Sequence, residues 1–379
     1  MRRIALSVFL MLSSAASFSS AQDQLVYFGT HSAGAGLGIS VAHFNSQTGV
    51  LTYPELVCEA ESPAYFIIHP DGKHLYTCNS NDFSKGFTGR TISAYAIEKP
   101  TGKLTFLNRQ SSGGDDPSFV YGDATRKYLL TANYVGGGVG VLQLNSDGSL
   151  GPVSARITHT GKSIDTIRQT KPYAHSIKTD PTNKFALAAD LGLDKLFIYR
   201  FHEEDGTLTP NTIPFVQCPA GSGPRHFTFS RDGRYLYLLT EMGSTLLTFA
   251  WDPEHGNLTH QQTISTLPSG FTGVNTCAEI DVHPNGKFLY ATNRGHDSIV
   301  LCAVDSLTGL LSVVEHYSTQ GHKPRNFAFD PTGQWIIVTN HASDNAVVFH
   351  VDGISGRLMQ HGAPVHVPSP FCVRFLSLN

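Results

Sequence analysis

Pro63-Ala-Tyr-Phe-Ile-Ile-His-Pro-Asp71-Gly72-Lys-His-Leu-Tyr-Thr-Cys-Asn79 places an Asp-Gly pair between two short runs of aliphatic and aromatic residues. Period-two apolar patterning predicts strands, and Asp-Gly predicts a tight hairpin turn that uses positive φ. The same layout returns at Pro117 to Asn133, Pro172 to Asp190, Pro224 to Thr240, Cys277 to Asn293 and Pro324 to Asn340, with starts 54, 55, 52, 53 and 47 residues apart. A third strand follows each hairpin, as in Thr245 to Trp251 or Ala346 to Val351. A Gly-x-Leu turn then opens a fourth, as at Gly102-Lys-Leu104, Gly206-Thr-Leu208 and Gly309-Leu-Leu311. Four strands repeated about every fifty residues describe the blades of a propeller. Pro370-Phe-Cys-Val-Arg-Phe375 reads as a first strand with nothing after it, and Leu25-Val-Tyr-Phe-Gly-Thr30 as a second strand with nothing before it. Joined, they make a seventh blade from both termini and close the ring without a free sheet edge. The expected fold is all-β: one seven-bladed β-propeller of four-stranded antiparallel blades.

Composition agrees. The 379 residues are 40% hydrophobic and 15% charged, with 36 Gly, 23 Phe, 14 Tyr and a formal net charge of −3. That is too aromatic and too poor in charge for a disordered chain. At about 150 residues per domain the length suggests two or three domains, but the repeats divide residues 22–379 into seven blades of a single domain. No basic excess points to nucleic acid, and no apolar tract beyond the first twenty residues is long enough to span a membrane.

The first 21 residues stand apart. Arg2 and Arg3 precede an apolar run from Ile4 to Leu12 and small residues ending Ser19-Ser20-Ala21, the layout of a cleavable secretory signal. Cleavage near Ala21 and a periplasmic or secreted mature protein, not membrane-held, are expected. The six cysteines form no C-x-x-C pair, and Cys78, Cys302 and Cys372 lie in strand-like runs. Free buried thiols are expected, with pairing left open.

Chemistry is sought where one blade departs from the others. The second strands end at Asn79, Asn133, Asp190, Thr240, Asn293 and Asn340, a uniformity that suits turn-forming side chains bonded to local backbone. The next residue varies: Ser80, Tyr134, Leu191, Glu241, Arg294, His341, and His31 in the joined blade. In the first strands, counted from the starting Pro or its equivalent, His175 replaces an apolar residue, and Arg225 and Arg325 replace residues such as Ala64 and Phe371. An antiparallel hairpin sets the start of its first strand beside the end of its second. His175, Arg225, Arg325, Glu241 and Arg294 should therefore face one mouth of the central channel. The alternative is a set of structural inter-blade ion pairs around a core histidine.

Two weaker signals are set aside. Gly34-Ala-Gly36-Leu-Gly38 and Gly136-Gly137-Gly138-Val-Gly140 join strands and lead into no helix, so they lack the geometry of a phosphate loop. Among 18 histidines no H-E-x-x-H or compact ligand cluster occurs, and no metal or other cofactor is expected.

Gly223-Pro-Arg225-His226-Phe-Thr-Phe-Ser-Arg-Asp-Gly-Arg-Tyr-Leu-Tyr with Glu241, Ala132-Asn133-Tyr134, Arg168-Gln169 leading to Pro172-Tyr-Ala-His175-Ser176, Gly270-Phe-Thr-Gly273, Asn293-Arg294-Gly295-His296-Asp297-Ser298-Ile299 and Pro324-Arg325-Asn326-Phe327 resemble the lactonase family of seven-bladed propellers. That family includes the propeller-type 6-phosphogluconolactonase and the carboxymuconate lactonizing enzyme. The resemblance covers nearly all of residues 22–379 and implies a catalytic cluster of His175, Arg225, Glu241 and Arg294. Tyr173 stands where the family often has another His, and His341 where Gln is common, which bears on substrate identity. The expected reaction is hydrolysis of a sugar-acid lactone, phosphorylated or, given export, an unphosphorylated aldonolactone. In that reaction His175 is the expected base, with Glu241 orienting it or the water, and Arg225 and Arg294 meet the oxyanion. Arg325, Tyr134, His341 and Asn133 are expected to bind substrate. A small-molecule lactone is the expected partner and a monomer the expected state. The alternatives are muconate-type lactone formation and a non-catalytic exported binding propeller.

Overall fold

The computed structural model describes residues 23–31, 37–80 and 89–378. The predicted signal segment 1–21 and Gly34 and Gly36 of the first glycine-rich loop lie outside them. The described residues form seven antiparallel sheets. One blade pairs Pro370–Ser377 with Asp23–Thr30 and continues through Gly38–Asn45 to a split outer strand, Val50–Leu51 and Glu55–Glu59. Both chain ends therefore share one sheet. The other six blades have four strands each, joined in sequence order. No helix among the described residues is long and apolar enough to cross a membrane.

The hairpin turns differ from expectation in length. His69 N–H donates to His74 O at 2.9 Å and Gly72 N–H to His69 O at 2.8 Å, so four residues rather than two separate the paired positions. Pro70 suits the second place of an ordinary β-turn, and only the closing Gly72, at φ 65°, takes positive φ. The same bonds recur at Ser230–Gly233 and His283–Gly286.

Second strands such as Tyr128–Asn133, Phe185–Asp190 and Trp335–Asn340 are buried from end to end, whereas outer strands such as Lys103–Ser111 alternate with solvent. Facing sheets cover both sides of an inner strand, so its sequence is continuously apolar. The Gly-x-Leu turns have a second role as seats for the preceding blade. A Cβ on Gly309 (φ 70°) would stand 2.3 Å from the Tyr235 ring, and one on Gly49 would stand 2.2 Å from Trp335. Tyr237 Oη donates to Gly309 O at 3.0 Å, and Trp335 Nε1 to Ser46 O at 2.7 Å across the ring closure. Gly309→Ala combines a clash with a left-handed backbone. It should cost about 1–3 kcal/mol, read as a lower urea midpoint at unchanged slope.

The polar residues that end the second strands act as expected of turn formers. Asn79, Asn293 and Asn340 donate from Nδ2 to the carbonyls of Glu61, Thr266 and Thr319 at 3.0, 2.8 and 2.8 Å, each on the loop entering the same blade. All six cysteines are free thiols, five of them buried.

Candidate active site

The strand register corrects one step of the sequence alignment. Segment Pro172 to Asp190 is two residues longer than its counterparts, and Ala174, not Pro172, pairs with Asp190 as Pro224 pairs with Thr240 and Pro324 with Asn340. His175, Arg225 and Arg325 therefore occupy one equivalent place. At that place the ladder skips a residue, and Ser118 and Phe371 are skipped likewise. A bulge leaves its extra residue unpaired and re-aims the side chain. All five bulged side chains line one cavity of about 340 Å³ at the mouth where the second strands end.

Glu241, at the end of Tyr235–Thr240, sits 5% exposed in the middle of this wall. Its Oε2 accepts Arg225 Nε at 3.0 Å and lies 3.0 Å from Arg294 Nη2, while Oε1 accepts Arg168 Nη2 at 2.6 Å. Burial alone would raise the carboxyl, but the guanidiniums of Arg294, Arg225 and Arg168 hold it well below the usual carboxylate range. Glu241 is thus a fixed anion and a poor acceptor for a substrate proton. Arg225 also donates to Ala278 O on the next blade, and Arg294 Nη2 to Cys277 O at 2.6 Å within its own blade, so both guanidiniums are held in place. The inter-blade ion pairs raised as an alternative do exist, and they line the cavity.

His175 Nε2 lies 4.0 Å from Glu241 Oε2, beyond a direct hydrogen bond. Direct orientation of His175 by Glu241 is therefore not what the geometry provides. Burial, then Arg225 and His226, push the imidazole well below its ordinary value, so it is neutral and has a lone pair available. Tyr134 meets His175 edge to face at 5.4 Å between centroids and tilts against Tyr173 at 4.9 Å.

Arg325 differs from the other three arginines. Its guanidinium lies 3.9 Å from the Phe371 ring centroid, and among the described residues no carboxylate lies within ion-pair distance of it. Burial and the neighbouring Arg294 and Arg225 depress it strongly, as expected of a cation lacking a counter-ion.

His341 lies outside the cavity lining. It packs edge-on against Phe371 at 4.4 Å, and burial, with Arg325 and His31, lowers it to about 4. Asn133 is not at the cavity either: it is buried, donates to Ser112 O at 3.2 Å and accepts Ser112 Oγ at 2.7 Å. Its expected place in substrate binding gives way to the turn role of its equivalents.

The lining also brings in Arg168, His226 and Glu279, for which the residue pattern predicts no role. Arg168 sits on the connection between two blades, where blade equivalence offers no comparison. There Asp165 Oδ1 accepts the N–H groups of Ile167 and Arg168 at 2.9 and 2.7 Å and sets the backbone from which the side chain reaches Glu241. His226 and Glu279 lie one place beyond the bulge, where neighbouring blades carry Tyr65, Phe119 and Asn326. Comparison of that one further column would have exposed them.

His69, Asp71 and His74 bring three donor atoms together at a hairpin turn. Asp71 Oδ2 lies 2.8 Å from His74 Nδ1, and the His74 ring packs on Gly148 at the place where Tyr235 packs on Gly309. The residues are explained by blade packing.

The family model described as a seven-bladed β-propeller lactonase matches residues 25–375. The 6-phosphogluconolactonase of Bacillus subtilis (strain 168) is 35% identical over 350 residues, 92% of this chain and 97% of that one. A structure described as the periplasmic gluconolactonase of Pseudomonas aeruginosa superposes with a TM-score of 0.88 at 33% identity, over 94% of this chain and 100% of its own. A putative 6-phosphogluconolactonase of Bacteroides fragilis gives 0.85 at 32%, over 94% and 99%.

Proposed function

The chain belongs to the seven-bladed β-propeller lactonase family, and from its lactonase activity we infer that the substrate is an unphosphorylated aldonolactone, opened outside the cytoplasm. The carrying observation is that Arg325, beside Arg294 and Arg225, has no ion-pair partner among the described residues. A neutral lactone has no charge for it to meet, but the tetrahedral intermediate and the aldonate product do. A donor satisfied only as charge develops stabilises the transition state more than the ground state. Among the described lining residues no cation stands apart from this cluster to take a separate phosphate. The segment before Gln22, read as an export signal, favours the same substrate, since phosphorylated sugars are held inside cells.

In this reading water attacks the carbonyl carbon, His175 Nε2 takes its proton, and Arg325 and Arg294 receive the oxyanion. Collapse breaks the ring C–O bond, and His175 returns the proton to the departing oxygen. Arg225 keeps Glu241 in place, and Glu241 in turn aims Arg294 and Arg168.

The test is pH-stat hydrolysis of glucono-δ-lactone and its 6-phosphate, corrected for spontaneous opening, with muconates assayed for lactone formation. The unphosphorylated lactone should show the higher kcat/KM. A preference for the phosphate ester of about tenfold or more, or turnover of muconates alone, would overturn the assignment. Arg325→Lys keeps the charge but loses the planar fork, and should lower kcat about tenfold with little change in KM.

A further inference from the structure

His226 has no part in the steps above, yet its setting is that of an oriented base. It follows the bulged Arg225, is 2% exposed, and places Nδ1 2.8 Å from Glu279 Oε1 on the next blade. Glu279 Oε1 also accepts the Ile280 N–H at 3.2 Å, and Oε2 accepts Asn326 Nδ2. A carboxylate receiving these donors assigns the hydrogen of the pair to His226 Nδ1 and the lone pair to Nε2.

That Nε2 is buried and has no partner among the described residues. The adjacent ring is His175, at 5.1 Å between centroids and nearly perpendicular, and its Nδ1 is likewise buried without a partner. Unsatisfied buried polar atoms are costly and uncommon. Here two lie on neighbouring rings with no hydrogen bond between them, so a transfer from one to the other requires the two rings to close on each other.

We propose that His226 and Glu279 form a proton relay behind His175, with His226 a positioning residue for lactone hydrolysis. As His175 Nε2 takes the proton of the attacking water, the hydrogen on its Nδ1 passes to His226 Nε2. The resulting imidazolium is held by Glu279, and His175 stays neutral. When the ring C–O bond breaks, the departing oxygen takes the proton from His175 Nε2 and the Nδ1 hydrogen returns, leaving both histidines as they began. The groups facing His226 explain the need for the carboxylate. Burial, then Arg225, Lys178, Arg325 and Arg374, oppose a positive charge there, and Glu279 is the anion bonded to it. The relay rests on His175 being the acceptor for water.

Full-length His226→Gln and Glu279→Gln variants, checked for folding by circular dichroism, test it. His226→Gln should lose about tenfold or more in kcat at little-changed KM. Its proton inventory in mixed light and heavy water should change from a curve, for two moving protons, to a line, for one. Glu279→Gln, which keeps the side-chain volume, should lower kcat and move the acid limb of the kcat/KM profile to lower pH. Wild-type kcat in folded His226→Gln, or a lower kcat with unchanged inventory and unshifted acid limbs in both variants, would overturn the relay. Full turnover by His175→Ala would instead remove the acceptor on which the relay rests.

Discussion

Replacing His175 with alanine will lower kcat on a susceptible lactone by roughly 10²-fold or more, the scale for loss of a general base. The histidine is suited to this loss because it is neutral where the other groups of the wall are fixed ions. Burial, Arg225 and His226 keep it well below its ordinary value, so it remains an acceptor in mildly acidic solution. The acid limb of kcat/KM should therefore fall below about pH 6.5, and His175→Ala should abolish that limb along with the rate. Stability carries the opposite mark of the same shift. Below about pH 6.5 the unfolded chain binds a proton at this histidine that the folded chain refuses, so stability falls as pH falls. The urea midpoints of wild type and His175→Ala should draw together between about pH 7 and about pH 5. A variant with wild-type turnover would end the assignment of His175 as base.

Glu241→Gln will act on folding and turnover together. The substitution preserves volume but leaves Arg225 and Arg294 without their counter-ion in a wall where Arg325 already has none among the described residues. Breaking a buried ion pair from one side costs about 3–5 kcal/mol. The lower end is expected here, since the Arg168 side chain is 40% exposed and can turn to water. The variant should also lose about 10²-fold or more in kcat, because Arg294 and Arg168 are no longer aimed. Urea unfolding and pH-stat rates on the same preparation measure both. A loss of stability with full turnover would make Glu241 purely structural.

The difference between Glu241 and Arg168 shows what kind of residue a repeat exposes. Glu241 occupies a place filled in every blade, so its departure from Ser80, Tyr134 or Leu191 is visible by comparison. Arg168 lies on a connection that has no counterpart, and only the folded chain brings it to Glu241 at 2.6 Å. Asn133 shows the converse. It stands next to Tyr134 in sequence, but alternation along the strand turns it to Ser112 and away from the cavity.

The sequence by itself determined the ring, its seven blades, the strand that each terminus adds to the last of them, and the mouth at which the ionic residues gather. Those features follow from period-two patterning and turn residues, which are local and repeated. Only the tertiary structure decided the register of His175 with Arg225 and Arg325, the three guanidiniums that neutralise Glu241, the unmatched charge of Arg325 and the pairing of His226 with Glu279. Most of these depend on distances between side chains of different blades. A bulge, a two-residue difference in a loop or the reach of one arginine sets such distances, and residue types do not encode them one position at a time.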